Sequence, residues 1–542
     1  VLEVEHIGTQ GTGLKNSGFD RMNIRAGETY DLSLFARQIS KDPMTLMVSL
    51  QTPSGKIVAE NKISTSSLKW KQYAATLTAT ESSDSASLVV LAVTKGKLAL
   101  DEISLFPEKT FKNRKNGLRS DLAQMIAEMK PKFIRFPGGC LAHGDGLGNM
   151  YRWKNTIGPI EQRKQQRNIW QYHQTTGLGF FEYFQFCEDI GAKPLPVLPA
   201  AVCCQNSGGT WRIGGTGQQA LPMSQMNKYI QDVLDLIEWA NGPATSTWGK
   251  KRAEAGHPAP FKLEYLGIGN EDKITPEFTE RFTKIYQAVR AKHPEISIIG
   301  TAGPFHSGED FDKGWALSRE LHIPVMDEHY YVQPEWFIAN QHRYDSYKRN
   351  ESHVYLGEYA SWGNKMRNAI AEAIYMTSLE RNGDVVRLAS YAPMLAKKGF
   401  TQWTTDMLFF DNVNIIPTPN YYVQKMFMTN QGDVYYDNVV TANGNDTTAA
   451  GSCVQDSQSG DLILKLVNAG STPSVMKINL SKLVHAAIEA QQTLLKGEPE
   501  AENTFDHPRA VLPVTSTYTV GPQFDYSAPA MSLTVMRIKT KN

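Results

Sequence analysis

Two glutamates stand where strand-like apolar runs stop. In LEYLGIGNED the run climbs through Leu263, Tyr265, Leu266 and Ile268 and ends at Gly269, Asn270, Glu271 and Asp272. In HVYLGEYAS a similar run reaches Glu358, 87 residues further on. Paired carboxylates are what glycoside hydrolysis needs. One stays protonated to donate to the leaving oxygen, and the other is ionised to attack or to activate water. A separation of about 5–5.5 Å gives retention of configuration, and about 6.5–9.5 Å gives inversion. Asn270 stands beside the first glutamate, where its amide could hydrogen-bond a sugar hydroxyl. Either glutamate alone also reads as a solvated loop residue or a neighbour of a helix cap. The repetition at two strand ends, one directly after Asn, favours chemistry.

Other strand ends add candidates. VMDEHYY carries His329, Tyr330 and Tyr331, and a His and a Tyr near a carboxylate nucleophile could hold it ionised and oriented. A hydrogen-bonded core His and packed tyrosines are the competing reading. RFPGGCLAHGDG places Arg135, Gly138, Gly139 and Cys140 at another strand end. The glycine pair permits close backbone approach to a ligand, and the Arg reads equally as structural. Cys140 has no paired His in its context, which argues against a thiol nucleophile. Trp403, in GFTQWTTDMLFFDN, and Trp362, four residues after Glu358, could wall a sugar face or belong to the core. RIGGTG (212–217) lacks the Lys and Ser/Thr of a phosphate loop.

Such side chains must be brought together by a scaffold, and the middle of the chain alternates helix-like and strand-like runs. Seven strands are predicted: FIRFPGG, PLPVLPA, LEYLGIGNE, SIIGTAGP, VMDEHYYV, HVYLGEYAS and VVRLASYAPML. Repeated βα units imply a parallel sheet, and seven is one short of a (β/α)₈ TIM barrel. Catalysis in that fold sits at the C-terminal rim of the strands, where Glu271 and Glu358 fall. Residues 1–108 and 421–542 read as short alternating strands split by turn residues, which predicts a β-sandwich on each side of a barrel over 109–420. The fold class is therefore α/β plus all-β.

Composition narrows the partners. The 542 residues exceed what one core supports. A net charge of +1 argues against nucleic acid or an anionic membrane as partner. Five cysteines without zinc-type spacing form neither a disulfide framework nor a metal knot. No apolar run approaches the roughly 20 residues of a membrane helix.

FIRFPGGCLAHGDGLGNMYRWKNTIGP, LGIGNED, DEHYY and LGEYAS together resemble glycoside hydrolase family 51, chiefly α-L-arabinofuranosidases, over roughly residues 20–430. The resemblance is to the branch with a sandwich inserted near the start of the barrel. It implies a retaining double displacement without metal or other cofactor, with Glu271 as acid/base and Glu358 as nucleophile. It also implies that Asn270 contacts the sugar 2-hydroxyl and that His329 and Tyr331 (with Tyr330 as the alternative) lie beside the nucleophile. Cys140 stands where other members carry Asn. LALDEISLFP is similar to the last strand of a carbohydrate-binding-like jelly roll. The resemblance further implies an arabinofuranosyl-containing glycan substrate and a secreted or periplasmic setting. In this branch the first barrel strand precedes the inserted sandwich. One strand is therefore expected to be missing from this chain, with the gap between the strand ending at Gly139 and that ending near Met394. A segment outside these residues or a homo-oligomer partner would then complete the barrel. An endo-glucanase, another retaining glycosidase on the same scaffold and a non-catalytic carbohydrate-binding protein are the rival readings.

Overall fold

A computed structural model of the protein describes residues 2–5, 11–208, 217–442 and 446–540. Nearly all of the RIGGTG segment lies outside the described residues. The chain forms two compact units, Val1–Ile126 with Phe410–Ile415, and Ala127–Phe409 with Ile416–Asn542.

In the first unit, alternation along Thr29–Gln38 buries Tyr30, Leu32, Leu34 and Ala36 and turns Asp31 and Arg37 to water. Two antiparallel sheets result. Their facing sides share a core that includes Leu32, Leu46, Val48, Leu77 and Val90. The short segment 410–415 joins this unit through long-range hydrogen bonds. Arg119 donates to the Asp411 carbonyl at 2.5 Å, and Asn412 donates to that of Asp84 at 2.6 Å.

The second unit holds the parallel sheet. Its strands are β1 (Phe133–Phe136), β2 (Lys193–Leu198), β3 (Tyr265–Ile268), β4 (Ser297–Thr301), β5 (Val325–Val332), β6 (His353–Ser361) and β7 (Val386–Tyr391). They pair in sequence order, all parallel, with β1 and β7 at the two ends. The seven strands and the position of the opening are those expected among the described residues. Phe133, Leu195, Val197, Tyr265, Ile299, Val325, Tyr355 and Leu388 pack together as the apolar floor of the barrel. The next inward positions, such as Arg135 and Asp327, lie toward the C-terminal rim.

Helices cover the sheet for local reasons. Met226–Asn241 buries Met226, Tyr229, Val233, Ile237 and Ala240 along one stripe. Pro276–Lys292 starts with Thr275 accepting the Phe278 N–H at 3.2 Å and Pro at its first position. The segment WFIANQHRYDSYKR, helix-like in sequence between the fifth and sixth strand runs, is helical only in part. The α-helix is Pro334–Ala339, followed by a 3₁₀ turn at Arg343–Ser346.

A six-stranded and a three-stranded antiparallel sheet form the C-terminal sandwich, around a core that includes Leu464, Leu466, Met476 and Met536. It packs on the helix Met366–Arg381, where buried Lys465 meets Glu380 at 2.5 Å. Among the described residues, no helix is long and apolar enough to cross a membrane.

Candidate active site

The site is built where β1, β3, β5 and β6 end. On β5, alternation sends Val325, Asp327, His329 and Tyr331 to one side of the sheet and Glu328 and Tyr330 to the other. A bulge shifts the register between β5 and β6, so His329 pairs with Glu358 and Gly357 is skipped. That extra residue aims the Glu358 carboxylate at the rim.

Three groups grip Glu358, and a fourth braces one of them. Arg135 donates to Oε1 at 2.6 Å, and the Tyr331 hydroxyl donates to Oε2 at 2.8 Å. His329 Nδ1 stands 3.6 Å from Oε2, and Asn270 connects through Arg135, which donates to its Oδ1. Burial works to raise the Glu358 pKa, but the charges of His329 and Arg135 and the two hydrogen bonds outweigh it and hold the carboxyl below its usual range. Arg135 needs room for this grip. Gly138, at φ 65°, supplies it, since a Cβ there would lie 2.3 Å from Arg135 Nη1.

Glu271 sits in the tight turn after β3. Its own φ is 54°, a left-handed conformation uncommon for Glu. The turn is held from inside. Asp272 Oδ2 accepts the Asn270 N–H at 2.8 Å, and its Oδ1 lies 3.0 Å from His143 Nε2, both side chains fully buried. The Glu271 carboxyl meets His329 Nδ1 at 2.8 Å. Burial, with the nearby Glu358 charge, raises its pKa despite the opposing pull of His329 and Arg135. The two carboxylates therefore titrate in opposite directions, the pattern that assigns one as acid and the other as base or nucleophile.

One oxygen of each glutamate and one nitrogen of His329 lie within 4.8 Å of one another. Arg135 already supplies positive charge at Glu358. His329 is pushed well above its ordinary pKa. Burial opposes that shift, but Glu358 and Asp327 prevail.

The remaining candidates divide. Asn270 is fully buried; its Oδ1 accepts the Gly139 N–H at 3.0 Å, and its Nδ2 has no hydrogen-bond partner. Gly139, at φ 61°, and Cys140 begin the turn after β1. Cys140 is buried against Ile169, Cys204 and Trp170, and its sulfur accepts from Asn206 Nδ2 at 3.6 Å. Trp362 and Trp403 stand beside Tyr331, with ring centroids 5.9 and 5.2 Å from it, and Trp362 is 37% exposed. Tyr330 is not brought to this side. Its hydroxyl bonds Glu328 and, at 3.0 Å, Tyr344, on the outer face of the sheet. Arg135 is the group whose place in the site the sequence left open. The alternation of FIRF, which puts Phe133 and Arg135 on one face, is the signal that marks it.

The comparisons with known proteins converge on this architecture. The α-L-arabinofuranosidase 1 domain matches residues 125–349, and the α-L-arabinofuranosidase C-terminal domain matches residues 357–532. An extracellular exo-α-L-arabinofuranosidase of Streptomyces chartreusis is 45% identical over 437 residues, 78% of this chain and 51% of that protein. α-L-Arabinofuranosidase 1 of Arabidopsis thaliana is 32% identical over 523 residues, 93% of this chain and 72% of that protein. The chain thus spans about half the length of the first relative and about three-quarters of the second. The solved structure of an arabinose-bound GH51 α-L-arabinofuranosidase, MgGH51, superposes with a TM-score of 0.87 at 32% identity, covering 99% of this chain and 86% of that one. A parallel barrel with a half-buried and a buried carboxylate at its rim, shifted in opposite directions, is a scaffold suited to glycoside hydrolysis. The chain belongs to glycoside hydrolase family 51, the α-L-arabinofuranosidases.

Proposed function

We propose that the chain is a retaining, exo-acting α-L-arabinofuranosidase that removes terminal α-L-arabinofuranosyl groups from plant polysaccharides or oligosaccharides. The observation that carries this reading is the Glu271–Glu358 pair, whose facing atoms lie within 4.8 Å and whose pKa values are pushed apart. That spacing lies on the short, retaining side of the two known geometries. The sugar identity rests on the relatives, described as α-L-arabinofuranosidases, and on the arabinose-bound neighbour.

Glu358, kept ionised by His329 and Arg135, attacks the anomeric carbon. Glu271, protonated because burial raises its pKa, gives its proton to the departing oxygen. Once Glu358 is esterified its charge is gone, the Glu271 pKa falls, and the same carboxylate takes a proton from water that releases arabinose. Asn270 Nδ2, buried without a partner, is the donor available to a sugar hydroxyl. Gly139, Cys140, His329, Tyr331, Trp362 and Trp403 line the sugar and its leaving group. Tyr330, facing outward, supports β5 from behind. The division into a sandwich over 1–108, a barrel over 109–420 and a sandwich over 421–542 is proposed alongside. A secreted or periplasmic setting is also proposed, because the Streptomyces relative is described as extracellular.

The test is release of p-nitrophenol from its α-L-arabinofuranoside. Turnover by the chain that falls by at least about 10⁴-fold in Glu358→Ala supports the reading. Unchanged turnover in that variant refutes the assignment of the nucleophile.

A further inference from the structure

Beneath the two glutamates lies a third carboxylate. Asp327 is 5% exposed, and its Oδ2 is 3.2 Å from His329 Nε2 and 3.7 Å from Arg135 Nη2. Its Oδ1 has no hydrogen-bond partner. The adjoining strand leaves space for it, since a Cβ on Gly357 would lie 1.9 Å from Asp327 Oδ1. The glycine that precedes Glu358 therefore does two things. It forms the bulge that aims the nucleophile, and it admits a carboxylate under the histidine.

The groups facing His329 can be counted by element. Arg135 comes from β1 and Glu271 from the turn after β3. Asp327 and Tyr331 lie on its own strand β5, and Glu358 and Tyr355 come from β6. Both tyrosines are held neutral, chiefly by burial. That leaves two basic groups and three carboxyls in a buried set. A buried cluster is stable only near neutrality, so two cations, two carboxylates and one protonated carboxyl is the arrangement the interior supports.

We infer that Asp327 is a positioning residue that holds His329 as an imidazolium, with Nε2–H on Asp327 and Nδ1–H on Glu271, and so leaves the cluster's one carboxyl proton on Glu271. The nitrogen facing the acid/base is decided by what the other nitrogen bonds. With a carboxylate at Nε2, both nitrogens carry protons and Nδ1 donates toward the glutamates. With an amide there, the charge that balances the imidazolium is gone. His329 then loses a proton within the working pH range and no longer donates to Glu271 or supports the Glu358 charge. Asp327 touches no reacting atom in this account and acts through His329.

The inference rests on Glu271 and Glu358 being the catalytic pair, and its first test is independent of turnover. The protein carries 12 histidines, so ¹⁵N-histidine NMR is assigned by the signal missing from His329→Gln. In the unsubstituted protein His329 is expected to stay doubly protonated from about pH 5 to 8, well above the ordinary value near 6.5. A singly protonated His329 at pH 6 overturns the proposal, whether or not Asp327→Asn folds. The second test is the pH profile of Asp327→Asn on the aryl arabinofuranoside. The loss of kcat/KM is expected to be within about threefold at pH 5 and to exceed about thirtyfold at pH 7.5, as His329 gives up its proton. A loss equal at both pH values, which a purely structural role would give, also overturns it.

Discussion

Glu328 and His329 are adjacent on one strand, yet they belong to two buried polar clusters that differ in a telling way. On the outer face, Glu328 accepts from Trp315 Nε1 at 3.0 Å, from the Tyr347 hydroxyl at 3.0 Å and from the hydroxyls of Tyr330 and Tyr344. Both of its oxygens are occupied, and Arg343 stands 3.9 Å away. On the inner face, the cluster around His329 is unfinished. Asn270 Nδ2, Asp327 Oδ1 and Arg135 Nε are buried without partners. The Glu328 carboxylate is fully satisfied, and the unpartnered atoms around it are Arg343 Nε and the Tyr375 hydroxyl; on the inner face a carboxylate oxygen, Asp327 Oδ1, and an amide donor, Asn270 Nδ2, stay open beside the catalytic pair, capacity held for a ligand.

Substitutions at matched positions separate the two roles. The largest contrast is between the carboxylates. Glu358→Ala removes turnover, as above. Glu328→Ala removes the carboxylate that faces Arg343 and the acceptor of Trp315 and Tyr347, and should lower unfolding free energy by about 3–5 kcal/mol in urea titrations. Turnover per folded molecule should stay within about threefold of the parent, the scale of a substitution outside the site. A Glu328→Ala protein that folds as stably as the parent would break the comparison. The neighbouring tyrosines give a smaller contrast. Tyr331→Phe deletes the donor on Glu358 and should cost about 10²-fold in kcat, comparable to loss of one preorganised donor. Tyr330→Phe should cost about 1–2 kcal/mol of stability with kcat little changed. Reversed outcomes would mean that the strand is turned the other way.

The pH dependence sharpens the inner cluster. Activity requires Glu358 ionised and Glu271 protonated. It should therefore rise as pH climbs through the depressed Glu358 value and fall as pH climbs through the raised Glu271 value. Glu271→Gln should remove the basic limb for substrates with activated leaving groups and keep the acidic one. A basic limb that persisted in Glu271→Gln would assign it to another group.

Much of this was legible in the sequence because it is carried by local pattern. Strand-like runs placed all seven barrel strands, and the abrupt change from apolar to polar residues marked Glu271 and Glu358. His329 and Tyr331 share a face by the two-residue period, but the sequence leaves Tyr330 as an alternative, and its place on the outer face shows only in its bonds to Glu328 and Tyr344. What the sequence hid depends on contacts between distant segments. The bulge at Gly357 is visible only when β5 and β6 are paired. The joining of 410–415 to the first unit rests on hydrogen bonds to Arg119 and Asp84, about 290 and 330 residues away. Arg135 reads equally as a structural or a site residue in the sequence, and its role rests on the room that Gly138 leaves for its guanidinium beside Glu358.

The most direct test of the central claim is the stereochemical course of the reaction, followed by ¹H NMR from the first turnovers on p-nitrophenyl α-L-arabinofuranoside. Attack by Glu358 and then by water inverts the anomeric carbon twice, so the α-anomer of arabinose should appear first and the β-anomer only later by mutarotation. First appearance of the β-anomer would show direct attack by water and contradict Glu358 as the nucleophile.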